Sequence, residues 1–227
     1  ALKILERLGI QVTAYTRQIG PYQCRKEYLQ YENIEKSPLR MPDLQVSEQA
    51  EEYLAGKMQE MDSSGGMIEC VVSGMPAGVG EPVFGKLDAC LASAVFSIGA
   101  VKGVEIGDGF EAAKAVGSVN NDDFCRNADG TIGKRTNHSG GILGGMSDGS
   151  PVVLRAAFKP TPSISRPQQT VNRAGEEVET VIKGRHDPII VPRAVVVVET
   201  MAAFTAADLM LQNAVAKLDN VRKVYER

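Results

Sequence analysis

The chain has 227 residues, 43% of them hydrophobic, enough to bury a sizeable core as one large domain or two small ones. Its formal net charge is −3, which argues against nucleic acid as the main partner, because neutralising phosphates needs a basic face. The cysteines Cys24, Cys70, Cys90 and Cys125 form no CxxC pair and have no histidines at ligand spacing, so a reducing cytosol and no metal are expected.

In chain order, Ala1, Leu2, Leu5 and Leu8 share one face of a helix that Gly9 ends. No initiator Met or N-cap precedes that helix, which leads us to expect the later part of a longer protein. "IQVTAYTRQIG" predicts a strand, and residues 20–45, with Pro21, Pro38 and Pro42 among charges, a polar connection. A helix follows from an N-cap at Ser47 to a stop at Gly65. "GMIECVVSGMP", "GEPVFGKLDACLASAVFSIG" and "AVKGVEIGDGF" read as strand, helix and strand, with Cys70 and Cys90 as small core residues. Residues 115–140 are polar and rich in Gly and Asn, and predict a mobile loop. "PVVLRAAF" is the next strand, and "QQTVNRAGEEVETVIKG" a hairpin turning around residues 173–175.

The chain closes on a helix from Pro192 to the low 220s. A membrane span needs about 20 apolar residues, and Glu199 and Asp208 interrupt this one, so a buried helix of a soluble protein is expected. The class that results is α+β, with sheets and helices in layers and no internal repeat.

Three segments carry candidate chemistry. In "NHSGGILGGMSDG" the pairs Gly140-Gly141 and Gly144-Gly145 suit either tight turns or close backbone approach to a planar or phosphorylated ligand. Neither nucleotide-binding glycine fingerprint is present, and the turn is the commoner use. His138, at the head of this segment, reads as a loop residue. In "FKPTPSI" Pro160 and Pro162 fix the backbone, holding the hydroxyls of Thr161 and Ser163 beside the cation of Lys159. Such an array fits an anionic oxygen or the edge of a polar heterocycle, and equally a solvated surface turn.

"KGRHDP" groups Lys183, Arg185, His186 and Asp187. An arginine beside a carboxylate binds anions and keeps the Asp ionised, while Asp187 alone could cap the final helix. Across residues 151–193, seven Lys and Arg stand against four Asp and Glu, a local excess that fits a small polyanion.

Taken together and in order, "GVGEPVFGKLDACLASAVFSIGAVKGVEIGDGF", "NHSGGILGGMSDGSPVVLRAAFKPTPSI" and "GRHDPIIVPRAVVVVETMAAFTAADLML" strongly resemble the chorismate synthase family. The resemblance runs from about residue 1 to the mid 210s and covers the C-terminal part of that family. It implies a β-α-β sandwich, with residues 1–227 the C-terminal portion of a single domain in a cytoplasmic homotetramer. It also implies the use of reduced FMN, with NADPH as reductant, to convert 5-enolpyruvylshikimate 3-phosphate into chorismate and phosphate by 1,4-anti elimination. The implied FMN contacts are Gly99, Ala100, Gly144, Lys159, Pro160, Thr161, Pro162, Ser163 and Arg185, with Arg185 also near the anionic substrate. Asp187 matches the family's acidic residue near the flavin N5.

Two departures follow. Position 99 is Gly where Asn or Pro is expected in many relatives. The family's two catalytic histidines, in FGESHG-like and RPGHAD-like motifs, precede residue 1, and neither His138 nor His186 matches them. The 227-residue chain alone is therefore expected to have negligible activity. Two other readings are a non-catalytic oligomerisation or FMN-binding module of the same fold, and an unrelated phosphate-binding protein.

Overall fold

The computed structural model describes residues 1–184 and 186–226. Helix α1 (Leu2–Arg7) leads into β1 (Gln11–Ile19) and the short β2 (Tyr22–Gln23). Helix α2 (Leu44–Gln59) precedes β3 (Gly66–Ser73), α3 (Leu87–Phe96) and β4 (Val101–Ile106). A one-turn helix α4 (Gly117–Asn120) is followed by β5 (Phe124–Arg126), β6 (Ile132–Lys134), β7 (Ile142–Leu143), β8 (Met146–Ser147) and β9 (Val152–Phe158). The chain ends with β10 (Gln168–Val171), β11 (Glu177–Thr180), α5 (Val191–Ala214) and α6 (Leu218–Tyr225). The α+β expectation is met.

The main sheet has five strands in the order β2-β1-β3-β9-β4, and β5-β6, β7-β8 and β10-β11 are separate antiparallel pairs. The strand–helix–strand unit read from the sequence is present, but β9 lies between β3 and β4 in the sheet. Strand β9 alternates by one: Val152, Leu154, Ala156 and Phe158 are buried while Val153, Arg155 and Ala157 are less so. That period of two follows from the strand pleat, and each large apolar side chain buried contributes about 1.5–3 kcal/mol.

The chain forms two compact units. The first comprises Ala1–Ala14, Glu69–Ala156 and Val196–Arg227, and the second Tyr15–Ile68 and Ala157–Val195. Within the first, α3 packs on β4 and β8, burying Leu87, Leu91 and Val95. Cys70 is buried in β3, whereas Cys90 is only partly so.

Several boundaries differ from expectation, and helix α2 ends at Gln59, short of the stop expected at Gly65. Helix α2 starts earlier, because Asp43 rather than Ser47 is its N-cap and accepts from Val46 N at 3.3 Å. Ser47 instead lies buried inside the helix, with its hydroxyl 2.7 Å from that of Ser37. Asp43 also takes two hydrogen bonds from the Arg25 guanidinium, at 2.9 and 3.0 Å, and one from Arg25 N at 3.3 Å. Burial works against its ionisation, but these donors outweigh it and hold the carboxyl below its usual range.

The loop expected at 115–140 contains α4 and the β5-β6 hairpin, whose turn is closed by Thr131 N and Oγ1 on Asp129 Oδ1. The final helix is two, α5 and α6, because Val215 N and Ala216 N bond three residues back and tighten the chain out of the α-helix. By length and apolarity α5 suffices to cross a membrane. It carries a fully buried small-residue stripe, Val198, Ala202, Ala203 and Ala206. Its Glu199 accepts a hydrogen bond from Ala14 N at 3.2 Å. Both features fit the core helix expected from the sequence.

Candidate functional site

In the first unit the glycine segment is built from three tight approaches and one open position. Gly144 and Gly145 form the two-residue turn between β7 and β8, both at positive φ (61° and 86°), which glycine adopts without strain. A Cβ on Gly145 would stand 2.4 Å from Lys86 Cγ, and one on Gly140 2.3 Å from Gly107 N. At Gly144 a Cβ would meet nothing within 4 Å. The turn reading therefore holds for the cluster, and Gly144 is the member with room beside it. Gly145 O receives Leu87 N at 2.7 Å, tying this turn to the start of α3.

At the far end of α3, Gly99 and Ala100 make the connection to β4, where Val101 N bonds Ile98 O at 3.3 Å. Ala100 takes the left-handed backbone (φ 71°), an uncommon choice for a residue with a Cβ. Gly99 is not at positive φ, and a Cβ there would meet nothing within 4 Å.

The loop before the glycines converges on Asp122, which sequence reasoning missed. Its buried carboxylate accepts from Thr136 Oγ1 (2.7 Å), His138 N (2.7 Å), Ser139 N (2.9 Å) and Ser139 Oγ (2.6 Å). Burial alone would raise this carboxyl's pKa, yet the donors hold it far below the usual range. His138, read from the sequence as a loop residue without a partner, has its Nδ1 3.2 Å from Asp122 Oδ1. Nearby, Lys134 and Asp148 form a buried ion pair at 2.5 Å, and Arg155 pairs with Glu105 while donating to Gly107 O.

In the second unit, residues 63–65 join the proline turn to the Asp187 segment. Ser63 Oγ donates to Thr161 O at 2.7 Å, and Ser64 N donates to Pro188 O at 2.8 Å. Gly65 passes so close that a Cβ would lie 2.6 Å from Phe158 O and 3.1 Å from Pro160 Cδ. Lys159, Pro160 and Pro162 are exposed, and Ser163 is half-buried. Thr161 Oγ1 is buried without a hydrogen-bond partner, which is costly unless something else satisfies it.

A cavity of about 140 Å³ opens beside this turn, lined by Asp62, Met61, Ile164, Ser165, His186 and Asp187 among others. Asp187 accepts from Arg193 Nη1 at 2.7 Å, and His186 Nε2 lies 3.1 Å from Ile182 O. Arg185, the arginine expected beside Asp187, lies outside the described residues. The local positive excess is partly cancelled, because Arg155 and Arg166 pair with Glu105 and Asp62 from outside residues 151–193.

Each unit, taken by itself, offers one feature against which the flavin expected from the resemblance can be weighed. Gly144 has open space on its side-chain face, and Thr161 has an unspent buried hydroxyl. No group of three or more His, Cys, Asp or Glu suited to a metal occurs among the described residues.

Comparison with known proteins bears on the family and the fold. The sequence profile of chorismate synthase matches residues 1–211. The chain is 61% identical over 227 residues to chorismate synthase of Lachnoclostridium phytofermentans, covering all of this chain and 62% of that protein. It is 55% identical to that of Agathobacter rectalis over the same span, and 53% identical to that of Archaeoglobus fulgidus over 211 residues. It thus spans about 62% of the length of the first two relatives. A crystal structure of a chorismate synthase superposes with a TM-score of 0.77 at 30% identity, covering 99% of this chain and 63% of that one. The chain belongs to the chorismate synthase family.

Proposed function

We propose that the protein carrying this chain is a chorismate synthase. It would eliminate phosphate from 5-enolpyruvylshikimate 3-phosphate in a 1,4-anti sense to give chorismate, with reduced FMN as cofactor and NADPH as the source of reduction. The observation that carries the reading is family membership over residues 1–211, with Asp187 and the 159–163 turn joined by residues 63–65. We further read it as a cytoplasmic homotetramer.

When bound, reduced FMN would supply an electron-rich ring system and a proton-accepting nitrogen beside the substrate. The chain's own residues would do the rest. Gly99, Ala100 and Gly144 offer backbone without obstructing side chains. Lys159 supplies a cation for the phosphate of flavin or substrate, on a backbone held by Pro160 and Pro162. Thr161 and Ser163 supply hydroxyls, and Thr161 Oγ1 gains the partner it lacks. Arg185, by resemblance, meets the anionic substrate. Asp187, which accepts a hydrogen bond from Arg193 Nη1 at 2.7 Å, would hold or pass on a proton.

The test is anaerobic turnover by the full-length protein with reduced FMN and 5-enolpyruvylshikimate 3-phosphate, following chorismate and phosphate release together. Equal molar release of both supports the reading. Flavin binding without turnover assigns the chain instead to a non-catalytic flavin-binding module.

A further inference from the structure

The segment that delivers Gly144 is held by a residue well upstream of it. Two carboxylate oxygens of Asp122 receive four donors from residues 136–139, and both oxygens are used: Oδ1 by Thr136 Oγ1 and His138 N, Oδ2 by Ser139 N and Ser139 Oγ. The Asp122 side chain is 4% exposed, so water does not compete for these bonds. From there the order passes along the loop. His138 O accepts Asp108 N at 2.8 Å, and Asn137 Oδ1 accepts Gly141 N at 2.7 Å. Asn137 Nδ2 donates to Pro151 O at 2.8 Å, and Gly141 O accepts Asp148 N at 3.0 Å, at the two ends of the segment joining β8 to β9. Three residues after Gly141 the chain reaches Gly144.

We propose that Asp122 is a positioning residue for the flavin site. Its carboxylate fixes the path of residues 136–141, and so the place at which the β7-β8 turn presents Gly144. This rests on the flavin reading above. A carboxylate is required because both oxygens must accept. Asparagine would turn one of them into an NH₂ group facing an N–H or O–H donor, replacing attraction with repulsion. The donors come from a loop, whereas the buried face of β9 (Val152, Leu154, Ala156) is apolar, so loosening the loop leaves that core intact.

The experiment uses the full-length protein with Asp122→Asn and Ser139→Ala. It measures reduced-FMN affinity by anaerobic fluorescence titration, turnover at saturating flavin, and amide hydrogen exchange. We expect Asp122→Asn to weaken flavin binding by about tenfold or more, as for lost hydrogen bonds to a buried charge, and Ser139→Ala by about two- to threefold. Turnover at saturating flavin should stay within about threefold, and amides of His138 and Ser139 should exchange at least about tenfold faster while those of β9 do not change, apart from Val153, whose N–H donates to Gly140 O at 3.2 Å.

Unchanged affinity in both variants overturns the proposal. So does an equal loss of protection in β9, which would make Asp122 a general stabiliser. If Asp122→Asn does not fold, Ser139→Ala combined with Thr136→Val decides by the same criteria. A wild-type protein that binds no reduced FMN overturns the flavin reading itself, and the exchange data then report separately on whether Asp122 orders the loop.

Discussion

The glycine segment of the first unit and the proline turn of the second are both stiff, by opposite means. Residues 136–141 are intrinsically loose and become fixed because their polar groups are consumed: Asp122, Asn137 and neighbouring carbonyls take the donors. Residues 159–163 are stiff by covalent constraint, since two prolines fix φ, and they leave polar groups unspent. Lys159 is exposed, and Thr161 Oγ1 is buried without a partner. Under the flavin reading proposed above, the side chains of the first segment would serve position and its backbone would meet the ligand. In the second the backbone serves position and the side chains are offered. Substitutions should therefore separate: those in the first region disturb fold and cofactor geometry, those in the second disturb affinity and chemistry.

The largest effect should come from Asp187 in the second region. Asp187→Asn keeps the shape but removes the charge that Arg193 supports. Loss of a positioned proton-transfer group costs about 10²–10⁴-fold, so turnover should fall by at least 100-fold. Flavin affinity should change by less than about threefold, because the substitution is isosteric. Single-turnover kinetics and flavin titration measure the two separately, and unchanged turnover would remove Asp187 from the chemistry.

Next in size is a contrast within the glycine segment. Gly140→Ala places a methyl 2.3 Å from Gly107 N at φ 64°, so the backbone at 140 or at 107, just after β4, must move. A loss of about 2–4 kcal/mol is expected, seen as a drop in denaturation midpoint. Gly144→Ala meets no neighbour and carries only the left-handed strain of about 1–2 kcal/mol, yet it should weaken flavin binding more than its stability cost explains. If the two variants lose stability equally, the distinction between the tight and open glycines fails.

How far the sequence revealed these regions depended on the range of the interactions. Strands β3 and β9 were legible because apolar side chains repeat along them, and the β10-β11 hairpin because its turn residues are local. The β5-β6 hairpin was missed although "NADG" marks a turn, because strands of three residues give too little alternation to notice. The break between α5 and α6 falls in "AVAK", which has no Gly or Pro to announce it. Asp122 was invisible for another reason: its partners lie 14 to 17 residues away, and "NNDD" looks like any polar loop. The hydrogen bond from Arg193 to Asp187, six residues apart, was missed although it is local. The flavin contacts themselves came from family resemblance, since neither the turn nor the lysine was decisive on composition.

Asp122 also gives the first region a pH signature. Its folded carboxyl is held below the unfolded value of about 3.9, so it stabilises the fold fully above that value. That contribution is lost as pH falls from about 5 toward the depressed folded pKa. Relative to wild type, Asp122→Asn should lower the local opening free energy of residues 136–141 by about 1–3 kcal/mol at pH 7, and the gap should narrow on acidification. Amide exchange of His138 and Ser139 followed from pH 7 down to pH 3, in steps on the order of one unit, measures it; a gap independent of pH would mean the carboxylate's charge is not what holds the loop.

A smaller effect is expected at Lys159, where the second region offers a solvated cation. Lys159→Ala should weaken flavin binding by about five- to tenfold, the worth of one partly exposed ionic hydrogen bond, with no change in melting temperature because the side chain is exposed. A flavin titration with unchanged affinity would take Lys159 out of the site and leave the turn as a scaffold for the hydroxyls alone.

The smallest effect sharpens the comparison most, because it falls on a proposed flavin contact that the fold does not constrain. Gly99 needs no positive φ, and a Cβ there meets no atom within 4 Å. Gly99→Asn, which restores a residue expected in many relatives, should therefore alter stability by less than about 0.5 kcal/mol. If the contact at this position is made by the backbone alone, flavin affinity should also stay within about twofold. A gain of tenfold would mean that an amide side chain can reach the cofactor here, so that the first region, too, can bind through side chains. A loss of stability beyond about 1 kcal/mol would mean that Ala100, held at φ 71° beside it, depends on glycine at 99 to keep its left-handed turn.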